Sequence, residues 1–539
     1  MGAMQPERRV HASLALIGAA SAGLYALLAL RYPLAISLQR PRADWTDPVD
    51  ASWASLVVHV GIYFGLTVLY ILTLRLLTPT PRSPLRVPVA PGHTQALIVV
   101  IWLVCCGILL TVASSGESHD IFDYIFRGRM MAELGGNPLT EAPNLYRGAP
   151  YFRYLAWHSF VDAYGPIWEM ASAATATGAR EVLKPTGLWA SLLPSCPRSP
   201  LSCHGLIGYI TAYRLLAIAL TGISAWLIVS MVKRNRPYLA AVALAAWLWS
   251  PLLLIATAIG AHNDALMIVL LLLMLWLLQR QRWFLALLAL ILAAHVKFTV
   301  LIVAPVVGLW LVRRCGWRRA IGLAAAAATA GLLLSWLLYA PFGGWTSLPR
   351  MLDERAAHLA NSPWRVLFNY LDIEREWPRQ AARELTVRLS TVLFAISAVV
   401  ASLWMLDFRP QRWKAAPTPD WRDDRLLWRS LAAVILLYLL VGSFWFQHWY
   451  VVWALVPAVL LPDTLLTRWL LPWLGFGALS ANVVGAFASA LAPEPLSKTA
   501  LAAIVVLVTW TPALIAGALY LVHRTQYKKV QHRMMLDSA

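Results

Sequence analysis

Long apolar runs, separated by short polar segments, dominate the pattern of residues along this chain. Runs such as LAIALTGISAWLIVSMV and LAAIVVLVTWTPALIAGALYLV approach the roughly 20 apolar residues that a helix needs to cross a bilayer core. Because lipid offers no hydrogen bonds to the backbone, runs of this length favour helices. The pattern therefore predicts an all-α polytopic membrane protein.

By the length that a crossing requires, about fourteen transmembrane helices are predicted. They lie near residues 12–30, 56–74, 95–113, 205–232, 238–259, 264–279, 283–296, 299–312, 320–340, 386–406, 430–445, 450–462, 469–490 and 500–522. The composition agrees, with 59% hydrophobic and 13% charged residues. Soluble domains have roughly 45–50% hydrophobic and about 25% charged residues. We interpret residues 1–539 as a single integral-membrane domain.

The net charge of +19 is a topology signal. With the amino terminus in the cytoplasm, the segments on that side carry 25 of the 45 lysines and arginines. They carry only seven of the 26 acids, so their net charge is +18, against +1 for the rest of the chain. This asymmetry follows the positive-inside rule. The basic balance therefore gives no support for a nucleic-acid partner.

Two extracytoplasmic segments, 114–204 and 341–385, are too long to be simple connectors. Loops beyond roughly 12–15 residues are usually functional or disordered, and both segments hold aromatic residues at helical spacing. The stretch HDIFDYIFRGRMMAEL predicts an interfacial helix that ends at GGNP. Residues 407–429 are polar and predict a cytoplasmic loop. We expect any chemistry in a chamber beneath the two outer segments.

Cys196 and Cys203 flank PRSPLS in the first outer segment, where an oxidising compartment favours a disulfide. Two free thiols are the alternative. The sequence contains no glycine-rich phosphate loop, no zinc-ligand spacing and no nucleophile elbow. Energy coupling by ATP and serine-type hydrolysis therefore lose support.

Acids at the membrane boundary are the first candidates for chemistry. Asp120 and Asp123 lie three residues apart in SHDIFDY, on one face of a short helix. A carboxylate at that depth can accept a proton from a sugar hydroxyl, as a general base does. Alternatively, both acids cap and solvate the start of the helix, where negative charge is favoured.

Polar residues also interrupt the crossings farther along. His262, Asn263 and Asp264 join two apolar runs with almost no loop, either as functional groups or as a tight turn that caps the next helix. Lys297 lies between two runs too short to cross the hydrocarbon core. The chain must therefore turn near the depth of lipid phosphates, where an ammonium suits phosphate. A lysine that snorkels to the interface is the alternative.

The segment SFWFQHWYVVW surrounds Gln447 and His448 with aromatic side chains. Interfacial aromatic belts are common, so a belt is the default interpretation. An aromatic wall with an embedded amide would also suit a sugar ring.

Taken in order, the motifs of this chain resemble the GT-C class of integral-membrane glycosyltransferases. They are SHDIFDYIFRGRM, GGNPL, YGPIW, SPLLL, GAHNDALM, HVKFTVLIVAP, YAPFGGW and FQHWYVVW. The pattern is most similar to polyprenyl-phosphate-mannose-dependent mannosyltransferases of the actinobacterial α-1,6-mannopyranosyltransferase type. The resemblance covers about residues 95–460.

The resemblance implies that Asp120 is the catalytic base, which activates the acceptor. It implies an inverting displacement that moves a hexose, mannose by family likeness, from a polyprenyl phosphate to an extracytoplasmic glycan or lipid. The remaining site residues that it implies bind substrate, with Lys297 near the donor phosphate: Asp123, Tyr164, His262, Asn263, Asp264, Lys297 and Gln447. His448 departs from the family pattern, which has proline there.

This donor type implies no obligatory cofactor or metal. We expect a monomer in the cell membrane, surrounded by membrane lipids, with its active site on the extracytoplasmic side.

Two alternative functions belong to other classes of protein. One is a transporter of lipid-linked sugar or polysaccharide without catalysis, although such proteins typically have paired broken helices near the midplane. The other is a metal-dependent oligosaccharide transferase in which Asp120 and Asp123 are ligands.

Overall fold

Helices account for nearly all regular structure in the computed structural model, which describes residues 6–39, 44–46, 49–78, 91–114, 116–183, 203–349, 360–405 and 421–536. The helices are α1 (Pro6–Arg31), α2 (Leu34–Gln39), α3 (Trp53–Leu77), α4 (Pro91–Leu109), α5 (Asp120–Glu133), α6 (Pro166–Gly178), α7 (Cys203–Asn235), α8 (Ala240–Leu248), α9 (Pro251–Ala258), α10 (Asp264–Gln279), α11 (Trp283–Ala294), α12 (Ala304–Cys315), α13 (Trp317–Tyr339), α14 (Pro363–Asn369), α15 (Arg379–Met405), α16 (Trp421–Leu437), α17 (Val451–Val459), α18 (Leu471–Leu491) and α19 (Lys498–Leu536). Those ranges hold only isolated β-bridges besides, so the all-α prediction is confirmed.

Ten helices in the described ranges are long and apolar enough to cross a membrane. They are α1, α3, α4, α7, α12 with the 3-10 turn before it, α13, α15, α16, α18 and α19. The helices α8 and α9, bent by 52° at the break between them, pass the same test only when taken together, as one broken span or a re-entrant loop. The chain is therefore a multi-pass membrane protein. The other three predicted crossings fall on α10, α11 and α17, which are shorter apolar helices, so the count of fourteen stays a prediction.

The short helices α10 and α11 form a hairpin that closes at the basic turn 280–282. At 1.5 Å per residue their 16 and 12 residues span about 24 and 18 Å, less than the roughly 30 Å hydrocarbon core. With the basic turn at one membrane surface, their other ends stop below the opposite surface. Asp264 and Lys297, which lie at those ends, therefore come to the same depth.

Most of α5 is buried, although its sequence predicts a helix lying on the membrane surface. The Tyr124 carbonyl accepts hydrogen bonds from Ser172 of α6 and Tyr213 of α7, at 2.9 and 3.1 Å. These contacts hold α5 against α6 and α7. The helix can be buried because its arginine side chains donate to backbone carbonyls of the loop that follows. The helix ends as the sequence predicts, just before Gly135 with a φ of +68°.

Two other predictions concern segments that are only partly described. Cys196 lies outside the described residues, as does the side chain of Cys203, and the predicted disulfide lies there with them. The predicted cytoplasmic loop 407–429 includes residues 407–420, which also lie outside the described residues. Its end is helical, because α16 begins at Trp421 with Asp423 and Asp424 in its first turn, where a helix favours negative charge.

A buried arginine joins the ends of two helices beneath the outer segments. Arg214 of α7 is fully buried and donates to the carbonyls of Leu110 and Val112, both at 2.8 Å, and of Ile259 at 3.0 Å. It also donates to the Ser114 hydroxyl at 2.7 Å. The last carbonyls of a helix have no partner within it, so Arg214 satisfies the exits of α4 and α9 together.

Basic residues from separate loops meet at the opposite end of the helices. Asp463 forms ion pairs with Arg236, at 2.9 Å, and with Arg425, at 3.3 Å. Asp423 pairs with Arg314 at 2.9 Å. All five residues belong to segments that the charge pattern assigns to the cytoplasmic side. Residues that were predicted to share a membrane face are therefore neighbours in space.

A reporter fused after Gly135 is expected to indicate an extracytoplasmic position, and one fused after Arg282 a cytoplasmic position. The expectation follows from the +18 against +1 charge split and from the grouping of the basic loops. Paired phosphatase and fluorescent-protein fusions measure it. A cytoplasmic signal at Gly135 would contradict the proposed orientation, because Asp120 would then face the wrong compartment.

Candidate functional site

The main cavity in the described part of the chain has a volume of about 720 Å³. Both outer segments contribute to its wall, together with the aromatic segment before α17 and one face each of α18 and α19. Its charged, polar and aromatic lining includes Glu117, His119, Asp120, Asp123, Arg127, Trp157, Asp162, Tyr164, Arg365, Trp445, Gln447, Trp449, Tyr450, Asn482 and Lys498. Four of the predicted site residues, Asp120, Asp123, Tyr164 and Gln447, thus meet in one chamber.

Asp120 presents a partly accessible carboxylate to this cavity. Its side chain is 16% exposed, whereas Asp123 is buried. Trp157 donates its indole N–H to Oδ1 of Asp120 at 3.2 Å, and His262 places Nδ1 3.9 Å from Oδ2. Asp120 is also the first residue of α5, where the helix dipole stabilises a carboxylate. An ionised, accessible carboxylate can accept a proton.

Asp123 holds the loop that carries Trp157. Its two carboxylate oxygens accept hydrogen bonds from the backbone N–H groups of Ala156 and Trp157, both at 3.2 Å. Burial is the largest influence on this group and raises the pKa of Asp123 to about 7, despite the opposing charge of Arg127 and both backbone bonds. Asp123 therefore positions the loop whose Trp157 contacts Asp120, and both of its oxygens already accept a backbone hydrogen bond.

Glu117 is a buried acid that the sequence interpretation missed. Its Oε1 lies 2.8 Å from Nε2 of His448 and 3.3 Å from Nε2 of His262. Burial alone would raise the pKa of Glu117, but attraction to the two histidines outweighs burial and lowers it to about 2. A Cβ on Gly260 would lie 2.4 Å from Oε2, so only glycine lets Glu117 reach this position. The departure at His448 thus has a physical role, since proline could not make this bond.

The His262–Asp264 turn between α9 and α10 packs behind the cavity. Ala261 has a φ of +50°, a rare conformation for a residue with a side chain, and it directs His262 towards Glu117. The His262 ring stacks on Trp449, with centroids 3.7 Å apart. Asn263 is 1% exposed, and in the described part of the chain neither polar atom of its side chain has a hydrogen-bond partner.

Lys297 is enclosed by an acid and by aromatic rings. Its ammonium lies 2.9 and 3.0 Å from the two oxygens of Asp264, and the side chains are 0% and 5% exposed. Trp453 donates its indole N–H to the same carboxylate at 2.6 Å. The ammonium also lies 4.6 Å from the ring centre of Tyr450 and 5.4 Å from that of Tyr164. The predicted contact of Lys297 with a donor phosphate stays a prediction.

Tyr164 lines the cavity because the YGP turn lies directly on the segment that leads to Lys297. The N–H of Gly165 donates to the Val296 carbonyl at 3.1 Å. A Cβ at position 165 would lie 2.1 Å from the backbone oxygen of His295, so this close approach requires glycine. The approach places the Tyr164 ring between Lys297 and the cavity.

The aromatic segment forms the wall in which Gln447 is embedded. Gln447 lines the cavity together with Trp445 and Trp449. A parallel bridge between Ala360 and Trp445 ties the second outer segment to this wall. Trp157 of the first outer segment packs edge-on against Trp445, with ring centroids 5.6 Å apart. An aromatic wall with one amide is suited to the apolar face and hydroxyls of a sugar.

Asp120, Asp123, Tyr164 and Gln447 line the cavity, whereas the His262–Asp264 turn and Lys297 lie behind its wall. Glu117 could have been found from sequence, since it stands three residues before Asp120 at the same polar boundary. Arg365 and Lys498 could not, because isolated charges in outer segments are common. Among the described residues, no group of three or more His, Cys, Asp or Glu side chains has the arrangement of a metal site.

An all-helical membrane fold with an acidic, aromatic chamber is the architecture of a membrane glycosyltransferase of the GT-C class. The family model described as "Alpha-(1->6)-mannopyranosyltransferase, N-terminal domain" matches residues 12–313. The chain belongs to this alpha-(1->6)-mannopyranosyltransferase family. The match confirms the resemblance seen in the motifs. No curated protein shows a significant match to the chain.

Family membership makes the chain an enzyme, a mannosyltransferase that uses a sugar donor and an acceptor, and so removes the transporter alternative. The matched region contains the acids of the first outer segment, the His262–Asp264 turn and Lys297. The aromatic wall around Gln447 and the cations Arg365 and Lys498 lie beyond it.

Replacing Lys297 with Met is expected to destabilise the fold by about 3–5 kcal/mol, because a buried carboxylate loses its cation. The double variant with Asp264→Asn removes both charges and should recover most of that loss. Unfolding midpoints of the purified proteins measure the effect. Equal stability of the single variant and the wild type would contradict a structural ion pair.

The same double variant also tests the predicted phosphate contact. If Lys297 contacts the donor phosphate directly, the variant will fold well and still bind polyprenyl phosphate, which lacks the sugar, about 10- to 100-fold more weakly. Unchanged binding of polyprenyl phosphate would assign Lys297 to the support of the aromatic wall alone.

Ionisation of Asp123 is expected to reduce stability as the pH rises. The folded-state pKa is about 7 and the ordinary value is 3.8, so between these values only the unfolded state releases the proton. The contribution of Asp123 is thus complete below about pH 4 and is lost as the pH passes 7, by at most about 1.4 kcal/mol per pH unit. Unfolding midpoints at pH 5 and pH 8 should differ less in Asp123→Asn than in wild type. Identical pH dependence in both proteins would refute this assignment.

Proposed function

We propose that this enzyme transfers a mannosyl residue from a polyprenyl-phosphate donor to an extracytoplasmic glycan or lipid acceptor, with inversion at the anomeric carbon. The observation that carries the proposal is the position of Asp120. Its partly accessible carboxylate lines the main cavity, at the start of a helix, where the helix dipole favours negative charge.

In this mechanism Asp120 accepts the proton of the acceptor hydroxyl. The acceptor oxygen then forms a bond to the anomeric carbon, while the bond from that carbon to the phosphate oxygen breaks. The electron pair of the broken bond leaves with polyprenyl phosphate. Trp157 holds Oδ1 of Asp120 at 3.2 Å, which leaves Oδ2 for the proton. A positioned base of this kind typically contributes about 10²–10⁴-fold to the rate.

The aromatic wall supports binding of the sugar. Trp445, Trp449 and Tyr450 line the cavity beside Gln447, whose amide can donate to and accept from sugar hydroxyls. The ion pair of Lys297 and Asp264 supports this wall from behind, where its ammonium faces the Tyr450 ring at 4.6 Å. We infer that the pair fixes the shape of the sugar pocket.

His262 and Glu117 support Asp120 from within the protein. His262 lies between the two acids, 3.3 Å from Glu117 and 3.9 Å from Asp120. Its stack on Trp449 fixes the ring, so its Nδ1 remains directed at Asp120. We assign both residues a positioning role, because neither needs to touch the reacting atoms.

The orientation proposed for the chain places this chamber on the extracytoplasmic side of the cell membrane. A polyprenyl phosphate lies in the bilayer and can enter laterally, whereas a glycan acceptor would enter from outside. The two substrates would meet at the boundary where Asp120 lies. We expect one chain to suffice, since the described residues of a single chain form the whole chamber.

Asp120→Asn is expected to reduce turnover by about 10²–10⁴-fold, because the amide keeps the shape of the carboxylate but cannot accept a proton. Donor binding should survive. The assay incubates the purified protein with polyprenyl-phosphate mannose and an acceptor and detects released polyprenyl phosphate. Asp123→Asn should cost far less, since Asp123 only positions the loop of Trp157.

A matched control is Glu384→Gln, which removes an exposed acid of the second outer segment that does not line the cavity. It should keep wild-type turnover. Near-normal turnover of Asp120→Asn would reject the mechanism. Equally severe losses at Asp120 and Asp123, together with inactivation by a chelator, would instead favour the metal-dependent alternative.

A further inference from the structure

The cavity continues into a groove between α18 and α19. Three residues from each helix line it, at the spacing i, i+1 and i+4 that defines one helical face. They are Gly485, Ala486 and Ser489 of α18, and Leu501, Ala502 and Val505 of α19. The face of α18 consists of small residues and that of α19 is apolar. The groove is therefore a narrow, apolar extension of a polar chamber.

The groove has a closed floor. At Gly477 the two helices touch backbone to backbone, since a Cβ there would lie 2.2 Å from the Thr509 carbonyl oxygen. Nearer the outer end the helices also touch, since a Cβ on Gly485 would lie 3.1 Å from the Val505 side chain. The eight residues from Lys498 to Val505 span about 10 Å along α19. The apolar surface along this length suits a thin, flexible hydrocarbon chain that lies on the two helices.

Two cations line the cavity beside this groove. Lys498 is the first residue of α19, and Arg365 lies on α14. Asn369 of α14 donates to the backbone carbonyl of Lys498 at 2.9 Å, so the two helices are joined at this point. Arg365 also packs over the ring of Phe368, with its guanidinium 5.6 Å from the ring centre. A positive wall therefore adjoins an apolar groove, which matches a phosphate attached to a hydrocarbon tail.

We propose that Arg365 and Lys498 bind the phosphate of the donor, and that the groove between α18 and α19 holds the first prenyl units. This inference rests on the proposed function and assigns its donor subsite. Lys297 is the weaker candidate for the phosphate because Asp264 already neutralises it behind the aromatic wall. In contrast, Arg365 and Lys498 face the chamber that contains Asp120.

The chemistry of the leaving group requires positive charge at this subsite. The donor is a phosphodiester with one negative charge, and polyprenyl phosphate departs as a monoester that carries a second. Cations placed before the reaction stabilise the charge that develops as the bond to the anomeric carbon breaks. Arginine binds phosphate oxygens in a bidentate manner, and lysine acts as a point charge.

The charge test compares Arg365→Gln and Lys498→Gln with Arg388→Gln, which removes an exposed arginine of α15 that does not line the cavity. Binding of polyprenyl phosphate alone and the KM for polyprenyl-phosphate mannose are both measured. We expect about tenfold weaker binding for Lys498→Gln and up to about 100-fold for Arg365→Gln. Arg388→Gln should match wild type, and Lys498→Arg should retain binding.

The groove test compares Ala486→Leu with Ala490→Leu, which adds the same bulk at an exposed position of the same helix outside the cavity lining. Donors with short and long prenyl chains are assayed. Ala486→Leu should raise the KM of the long-chain donor more than that of the short-chain donor. Ala490→Leu should keep the wild-type ratio. Ala502→Leu provides a second variant of the groove if Ala486→Leu does not elute as a monodisperse protein.

The outcomes separate this inference from the proposed function. Wild-type protein that binds polyprenyl phosphate through Arg365 and Lys498 but releases none from its mannosyl donor would overturn the proposed function alone. Active wild type whose binding is unaffected by the Arg365 and Lys498 variants would overturn the phosphate subsite. Unchanged chain-length preference in both groove variants would overturn the prenyl groove.

Discussion

The burial of one guanidinium group constrains the whole site. Arg214 lies inside a membrane-spanning helix, where an unsatisfied charge is costly, and its four hydrogen bonds satisfy it with acceptors at the exits of α4 and α9. Losing any of these bonds would expose both a charge and a helix-end carbonyl to a medium without water. The segments after Ser114 and Ile259 must therefore leave their helices at fixed points. Glu117 and His262 each follow by three residues, and they meet because those starting points cannot move.

Glu117 makes that meeting specific. A single buried oxygen accepts from His262 and His448, which belong to segments 145 and 331 residues away in sequence. In a medium of low dielectric, such bonds are stronger than in water, and an unpaired member is correspondingly expensive. The first outer segment, the turn before α10 and the aromatic wall are thus coupled through one carboxylate. Asp120 lies three residues after Glu117, so its position is fixed as well.

The sequence predicts the membrane class because apolar runs and the charge split are properties of composition and order. It also predicts the cavity residues Asp120, Asp123, Tyr164 and Gln447. It cannot predict that Asp264 neutralises Lys297, since the cost of a buried charge shows in the sequence but its partner, 33 residues away, does not. The number of crossings stays a prediction for a related reason. Helices of 9, 12 and 16 residues are apolar enough to be counted, but their depth depends on the neighbours that cover their ends.

Separation of opposite charges makes the chamber suitable for displacement at a sugar. A base loses proton affinity when a cation lies beside it, and a departing phosphate is destabilised when a carboxylate lies beside it. The base and the cations that are proposed to bind the phosphate must therefore lie on different parts of the cavity wall. Here Asp120 belongs to the first outer segment, whereas Arg365 and Lys498 belong to the second outer segment and α19. Arg127, a cation of the first outer segment, is paired with Asp162 at 3.5 Å. Uncharged aromatic side chains and the Gln447 amide form other parts of the cavity wall. A neutral sugar would bind against them. Lys297, the lysine of the HVKFTVLIVAP motif, is instead neutralised by Asp264 behind the aromatic wall.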